Sequence, residues 1–149
     1  MQHLFDSYPF LWVIPSVLLW CGVSFLISQL TGWAVLSRRF RATTSPPRQT
    51  WSLQTARMRW GTHYGNCLTV GADPAGLYLA PLFLYRIGHP PLLLPWQEVS
   101  VRRRGKVLFT PYVQLQLGRE EQIPLTISKR LADRIQSAAG QNWPVEPVA

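Results

Sequence analysis

The run "RRRGK" sets Arg102, Arg103, Arg104 and Lys106 within five residues, the densest group of cations in the sequence. Guanidinium groups hold phosphate through paired N–H donors, so a loop carrying several of them suits an anionic headgroup. In an extended strand Arg102 and Arg104 share one face and Arg103 takes the other. The plainer reading of these residues is a solvated surface. The remaining chemistry-bearing side chains do not assemble into a reactive set. Cys67 and His63 are four residues apart, as a thiol–imidazole pair could be, but "YGN" between them reads as a turn and no third group orients the pair. His3, His63 and His89 lack metal-ligand spacing, and Cys21 and Cys67 supply neither a zinc set nor a disulfide framework. The sequence holds no phosphate loop, nucleophile elbow or HExxH. Asp73 suits a turn, and Glu98 the surface or a strand partner. These observations imply a protein that is not an enzyme, with no metal, no cofactor and no small-molecule substrate.

The charges are unevenly placed. All fifteen Lys and Arg residues lie at or after Arg38, where six acidic residues oppose them, and Ser7 to Ser37 carries no charge. The C-terminal part is therefore strongly basic and favours anionic partners. Phe10 to Leu36, "FLWVIPSVLLWCGVSFLISQLTGWAVL", exceeds the roughly 20 residues that cross a hydrocarbon core. The Phe, Leu, Ile and Val residues between Phe10 and Leu30 favour insertion by roughly 4–7 kcal/mol. The start "MQHLFDSYPF" lacks the basic region of a cleaved signal peptide, and the apolar run is too long for one. The first expected partner is thus a lipid bilayer, met by residues 10–36. Trp12 and Trp33 suit the two interfaces, and Gly22, Ser24 and Ser28 suit pairing with a second helix. The juxtamembrane cations Arg38, Arg39 and Arg41, with no Lys or Arg before the span, predict a single-pass protein of the inner (plasma) membrane, N-terminus out and C-terminal domain cytoplasmic. The same cations can meet anionic headgroups or simply stop transfer.

Residues 1–40 form the expected anchor, 41–49 ("RATTSPPRQ") a semi-stiff linker, 50–140 the folded domain and 141–149 an irregular tail. From Thr50 the pattern favours strands. "TWSLQTARMRW" alternates, with Trp51, Leu53, Thr55 and Arg57 on one face and Ser52, Gln54, Ala56, Met58 and Trp60 on the other. "GTHYGN" reads as a turn, and "DPAG" as a reverse turn joining Cys67–Ala72 to Leu77–Ala80. "LFLYR" continues as a strand, "IGHPP" as a loop, and "LLLPW" as a strand ended by Pro95. Val99 and Val101 point inward, "KVLFTPYVQLQLG" alternates through Val113, Leu115 and Leu117, and "EEQIPLTI" is the last strand. "SKRLADRIQSAAG" then turns to a helical period, with Ser128 as N-cap, Gly140 beyond the C-terminus, and Leu131 and Ile135 on the buried face.

About seven short strands closed by one C-terminal helix, with the run "GLYL…HPPLLLPWQEV", resemble bacterial PH-like or GRAM-like domains. The resemblance covers Trp51 to Gly140. It implies a mainly-β PH-like barrel behind an N-terminal transmembrane helix, with Trp96 in the core and the prolines bending a strand between two sheets. It also implies that cations beside a strand end can serve phosphoinositide headgroups. The segment "APLFLYRIGHPP", Ala80 to Pro91, is a second candidate: its Leu82, Phe83, Leu84 and Tyr85 form core or, if outside, an apolar patch for a partner or the bilayer surface. The expected function is a non-enzymatic, membrane-tethered scaffold that presents its domain to a protein partner. The alternative is anionic lipid headgroup binding through Arg102–Lys106. Nucleic acid is favoured by charge alone, and few aromatics interleave with the arginines.

Overall fold

The computed structural model describes residues 8–43, 45–59 and 62–144. The readings of His3, Thr44, Trp60, Gly61 and the last five residues of the tail lie outside the described residues. Pro9–Trp12 is a 3-10 turn that leads into helix α1, Val13–Thr31. Pro9–Thr31 is 23 residues long with a mean hydropathy of 2.2 over an 18-residue window, long and apolar enough to cross a membrane. Gly32, at φ +90, ends α1 in the left-handed conformation that glycine adopts without steric cost. A second helix, α2, Trp33–Phe40, begins directly after it. A Cβ on residue 32 would also collide with Ile123, so the break is set by conformation and by close packing together.

Among the described residues, seven strands form one curled antiparallel sheet in the order β4-β3-β2-β1-β7-β6-β5. They are β1 Thr50–Arg57, β2 His63–Asp73, β3 Gly76–Pro81, β4 Leu92–Pro95, β5 Val99–Val107, β6 Thr110–Leu117 and β7 Ile123–Ser128. Helix α3, Lys129–Ala139, follows β7; Ser128 caps it by accepting from Leu131 N at 3.2 Å, and Leu131, Ala132, Ile135 and Ala139 are buried. The long apolar helix, the curled seven-stranded sheet and the closing helix match the architecture expected from the sequence.

β4 and β5 are the outer strands of the sheet, and α2 packs beside β4. Arg41 forms an antiparallel bridge with Leu92, Ala42 N donates to Pro91 O at 2.8 Å, and Arg39 reaches Glu98 just before β5. Trp33, Leu36 and Phe40 are buried in the same core as Leu68, Leu77, Leu94, Val113, Leu115 and Leu125. The sequence places these three residues in the anchor, whereas in the fold they complete the core of the domain. Trp96 is buried as expected, its indole donating to Asp73 O at 2.7 Å, and Val99 and Val101 point inward.

Four local readings are corrected. "GTHYGN" is not a turn: from His63 onward it belongs to β2, and the reversal comes earlier, where Met58 N bonds Thr62 O. "LFLYR" is not a strand, because Phe83–Tyr85 forms a 3-10 turn that leaves the ladder after Pro81. "KVLFTPYVQLQLG" is two strands, not one. Leu108 and Phe109, at φ 49 and 71, make a two-residue turn between Val107 and Thr110. Such turns normally announce themselves by Asn-Gly or Gly, and this one carries neither. Finally, the alternation of β1 reverses midway. Trp51 opposes Val70 and Gln54 opposes Leu68, so one extra residue lies between them and Leu53 is left exposed at φ 56. A bulge of this kind shifts the inward phase, which brings Ala56 and Met58 inside.

Candidate functional site

Two regions concentrate polar chemistry. The first is the junction between α1 and the domain. Ser24, Ser28 and Thr31 lie on one face of α1, and all three are buried. Ser24 donates to Ile87 O at 2.9 Å, and Ser28 donates to Gly88 O. Thr31 Oγ1 lies 3.0 Å from the Tyr64 hydroxyl, which lies 3.1 Å from His89 Nε2, while His89 Nδ1 lies 3.3 Å from Ile87 O. The directions of these bonds follow from one fact, that a carbonyl only accepts. Nδ1 therefore carries the proton in the neutral ring, Nε2 accepts from Tyr64, and Tyr64 accepts from Thr31. Burial pushes the Tyr64 phenol up to about 12, and burial holds His89 below its usual value against hydrogen bonds to the Ile87 and Tyr85 carbonyls. Both groups are thus neutral near pH 7.

Trp33 stacks beside Tyr64 and His89 and donates its indole N–H to Pro90 O at 2.8 Å. From the β1–β2 turn, Arg59 donates to Leu30 O and Gln29 O at 3.0 and 3.2 Å, capping the carbonyl end of α1, where a cation is favoured. A cleft of about 180 Å³ opens beside this junction between Trp20, Val23 and Ile27 of α1 and His63, Cys67 and Tyr85 of the domain. Sequence reasoning missed Tyr64, His89 and Arg59 because nothing local distinguishes them. The signal that was present is the hydroxyl stripe at residues 24, 28 and 31. Ser24 and Ser28, which with Gly22 suit pairing with a second helix, face the chain's own domain together with Thr31.

The second region is the cation cluster. Arg102, Arg103, Arg104 and Lys106 are exposed, and they lie within β5 rather than in a loop. A bulge between Val101 and Arg103 makes Arg102 the extra residue. Arg103 opposes Gln114 and Arg104 opposes Val113, so the expected grouping of Arg102 with Arg104 is not imposed by alternation. Directly opposed residues share a face, and the pairings run Arg103, Gln114, Thr126, Arg57 across four strands. Arg103 Nε donates to Gln114 Oε1 at 3.1 Å, and Arg57 and Arg103 line one shallow groove with Leu108 and Tyr112. At the end of this hairpin Leu108 and Phe109 are 89% and 97% exposed.

The juxtamembrane arginines have separate fates. Arg38 is exposed. Arg39 contacts Glu121 at 2.9 Å, Glu98 at 3.3 Å and Glu120 at 3.7 Å, and the hydrogen bond to Glu121 raises its pKa. Arg41 pairs its backbone with β4. Arg39 therefore ties α2 to the domain. His63 is exposed and Cys67 buried, and burial raises the thiol pKa, which opposes thiolate chemistry. Both cysteines are free, and among the described residues no group of three His, Cys, Asp or Glu side chains could hold a metal. No family model, no curated protein and no solved structure matches this chain.

Proposed function

We propose that the chain is a single-pass protein of the inner (plasma) membrane, N-terminus out, whose cytoplasmic PH-like domain is a non-enzymatic binding module for a protein partner. One observation supports this reading above the others: the apolar helix and the domain are joined by side-chain hydrogen bonds and a shared core rather than by a free linker. A tether of this kind fixes orientation as well as local concentration. A partner would then meet one defined surface of the domain at a defined height above the bilayer. The order of seven antiparallel strands and a closing helix is compatible with a PH-like fold. The test is purification of the full chain from its native membrane in mild detergent. A stoichiometric partner should be retained, and it should be lost when the junction is loosened by Thr31→Val with Tyr64→Phe. A chain that purifies alone under all detergents sinks the reading.

The hairpin favours a second reading, binding of an anionic lipid surface. Two large apolar residues sit fully exposed at the tip of a strand pair whose stem carries Arg102, Arg103, Arg104 and Lys106. Non-glycine residues at positive φ cost energy, and such strain is retained where the position is used. Cations at headgroup level with apolar residues below them suit an anionic interface. Reconstitution of the full chain into vesicles with and without phosphatidylglycerol tests this reading. Protection of the Phe109 region from protease should appear only with the anionic lipid and fade in high salt.

A further inference from the structure

We infer that the turn Leu82–His89 is itself immersed in the bilayer beside the helix, as a second, monotopic membrane contact of the domain. The inference rests on the reading of α1 as a membrane span. Residues 9–23 of the apolar stretch include no buried residue, although Trp20 already touches the domain, and burial begins at Ser24. At 1.5 Å per residue the unburied part is about 22 Å long. The hydrocarbon core is about 30 Å thick, so about 8 Å of it must be crossed by helix that is already docked. Whatever packs on residues 24–28 therefore sits at hydrocarbon depth. That element is this turn: Ser24 and Ser28 bond the Ile87 and Gly88 carbonyls, and Tyr85 lies against Trp20, 5.2 Å between ring centres, still closer to the middle of the span.

The turn is built for a medium without water. Phe83 and Ile87 are 73% and 45% exposed, which is unfavourable in solvent and favourable in lipid. Irregular backbone survives at membrane depth only if its polar groups are satisfied internally. Here Tyr85 N bonds Leu82 O at 2.8 Å, Arg86 N bonds Phe83 O at 3.3 Å, and His89 N bonds Arg86 O at 2.9 Å. The Ile87, Gly88 and Pro90 carbonyls accept from Ser24, Ser28 and Trp33, and Pro90 and Pro91 have no N–H to satisfy. Arg86, the one charge of the segment, donates Nε to Pro81 O at 3.4 Å, which holds its head at the base of the turn where β3 ends. The occupant of this apolar face is thus the acyl-chain region of the same bilayer that surrounds α1.

A photoreactive residue tests this in the full chain with its native cysteines. p-Benzoylphenylalanine replaces Phe83, Val17 or Ala75 in separate proteins, each reconstituted in vesicles of phosphatidylethanolamine and phosphatidylglycerol and illuminated. Mass spectrometry of the products should find lipid adducts at Val17 and Phe83 and none at Ala75, which is exposed at the β2–β3 turn. Adducts at Val17 with none at Phe83 overturn the immersion of the turn and leave the span intact. No adduct at Val17 overturns the span itself, and the inference with it. A Phe83→Asp protein gives an independent readout. Its turn should become open to a protease that cannot enter the bilayer, and unchanged protection that persists after the vesicles are dissolved in detergent would mean the turn is shielded by protein instead.

Discussion

The junction and the β5–β6 hairpin are both polar regions of one small protein, and they are built in opposite ways. At the junction the polar side chains named above have partners inside the chain, and its residues come from α1, α2, the β1–β2 turn, β2 and the turn after β3. On the hairpin the cations face solvent from a single strand, and the apolar tip touches little. Buried polar groups that are fully satisfied fix one geometry, because every alternative leaves a group unpaired. Exposed charges hold their geometry only weakly in water and stay accessible to a partner. The first arrangement suits holding, the second suits binding.

The comparison can be broken most severely by removing α2. A chain cut to begin at Thr50 loses Trp33, Leu36 and Phe40, each worth about 2–5 kcal/mol in a core, against a total stability of about 5–15 kcal/mol. That fragment should be unfolded, with no dispersed amide spectrum, whereas a chain that begins at Trp33 should hold its fold in detergent. Folding of the shorter fragment would mean that the junction is an accessory and not part of the core. Trp33→Ala in the full chain should cost about 3–5 kcal/mol, read as a lowered thermal midpoint in detergent.

Smaller and more discriminating is Tyr64→Phe. It leaves His89 Nε2 and Thr31 without their shared partner and should cost about 1–3 kcal/mol. The pH dependence sharpens this. His89 has a folded-state pKa below its usual 6.5, with burial as the main cause. As pH falls below 6.5 the unfolded chain takes up this proton first, so the stabilisation is complete above that value and declines toward the lower folded pKa. His89→Phe should flatten that decline in a titration of the thermal midpoint. An unchanged decline would place the acid sensitivity elsewhere. The smallest stability effect belongs to the hairpin. Replacing Arg102, Arg103 and Arg104 together by Ala should move the folding free energy by no more than about 0.5 kcal/mol per site. If the cations bind an anionic surface, the same protein should lose its preference for phosphatidylglycerol vesicles. A large loss of stability would show that the arginines are part of the fold and would erase the contrast between the two regions.

Much of this protein was decided by its sequence alone. Thirty-one uncharged residues before Arg38 dictate an apolar helix, because composition over that length outweighs any local preference. "DPAG" dictates its turn through Asp73, whose Oδ1 accepts from Ala75 N and Gly76 N. The helical period after Ser128 dictates α3. Each of these signals is local and carried by residue type. Tertiary structure decided the rest. The phase of β1 depends on a bulge that only pairing with β2 reveals, and the Leu108–Phe109 turn is imposed on residues with no preference for it. Gly32 divides one apolar run into a lipid-compatible helix and a core helix, and only the burial of Trp33, Leu36 and Phe40 among the strands shows why the second piece is needed. The junction belongs wholly to this class. Thr31, Tyr64 and His89 are separated by 33 and 25 residues and become one hydrogen-bonded chain only after the sheet has curled. Contacts between distant residues leave no mark on residue spacing, since the fold and not the chain sets the distances among them.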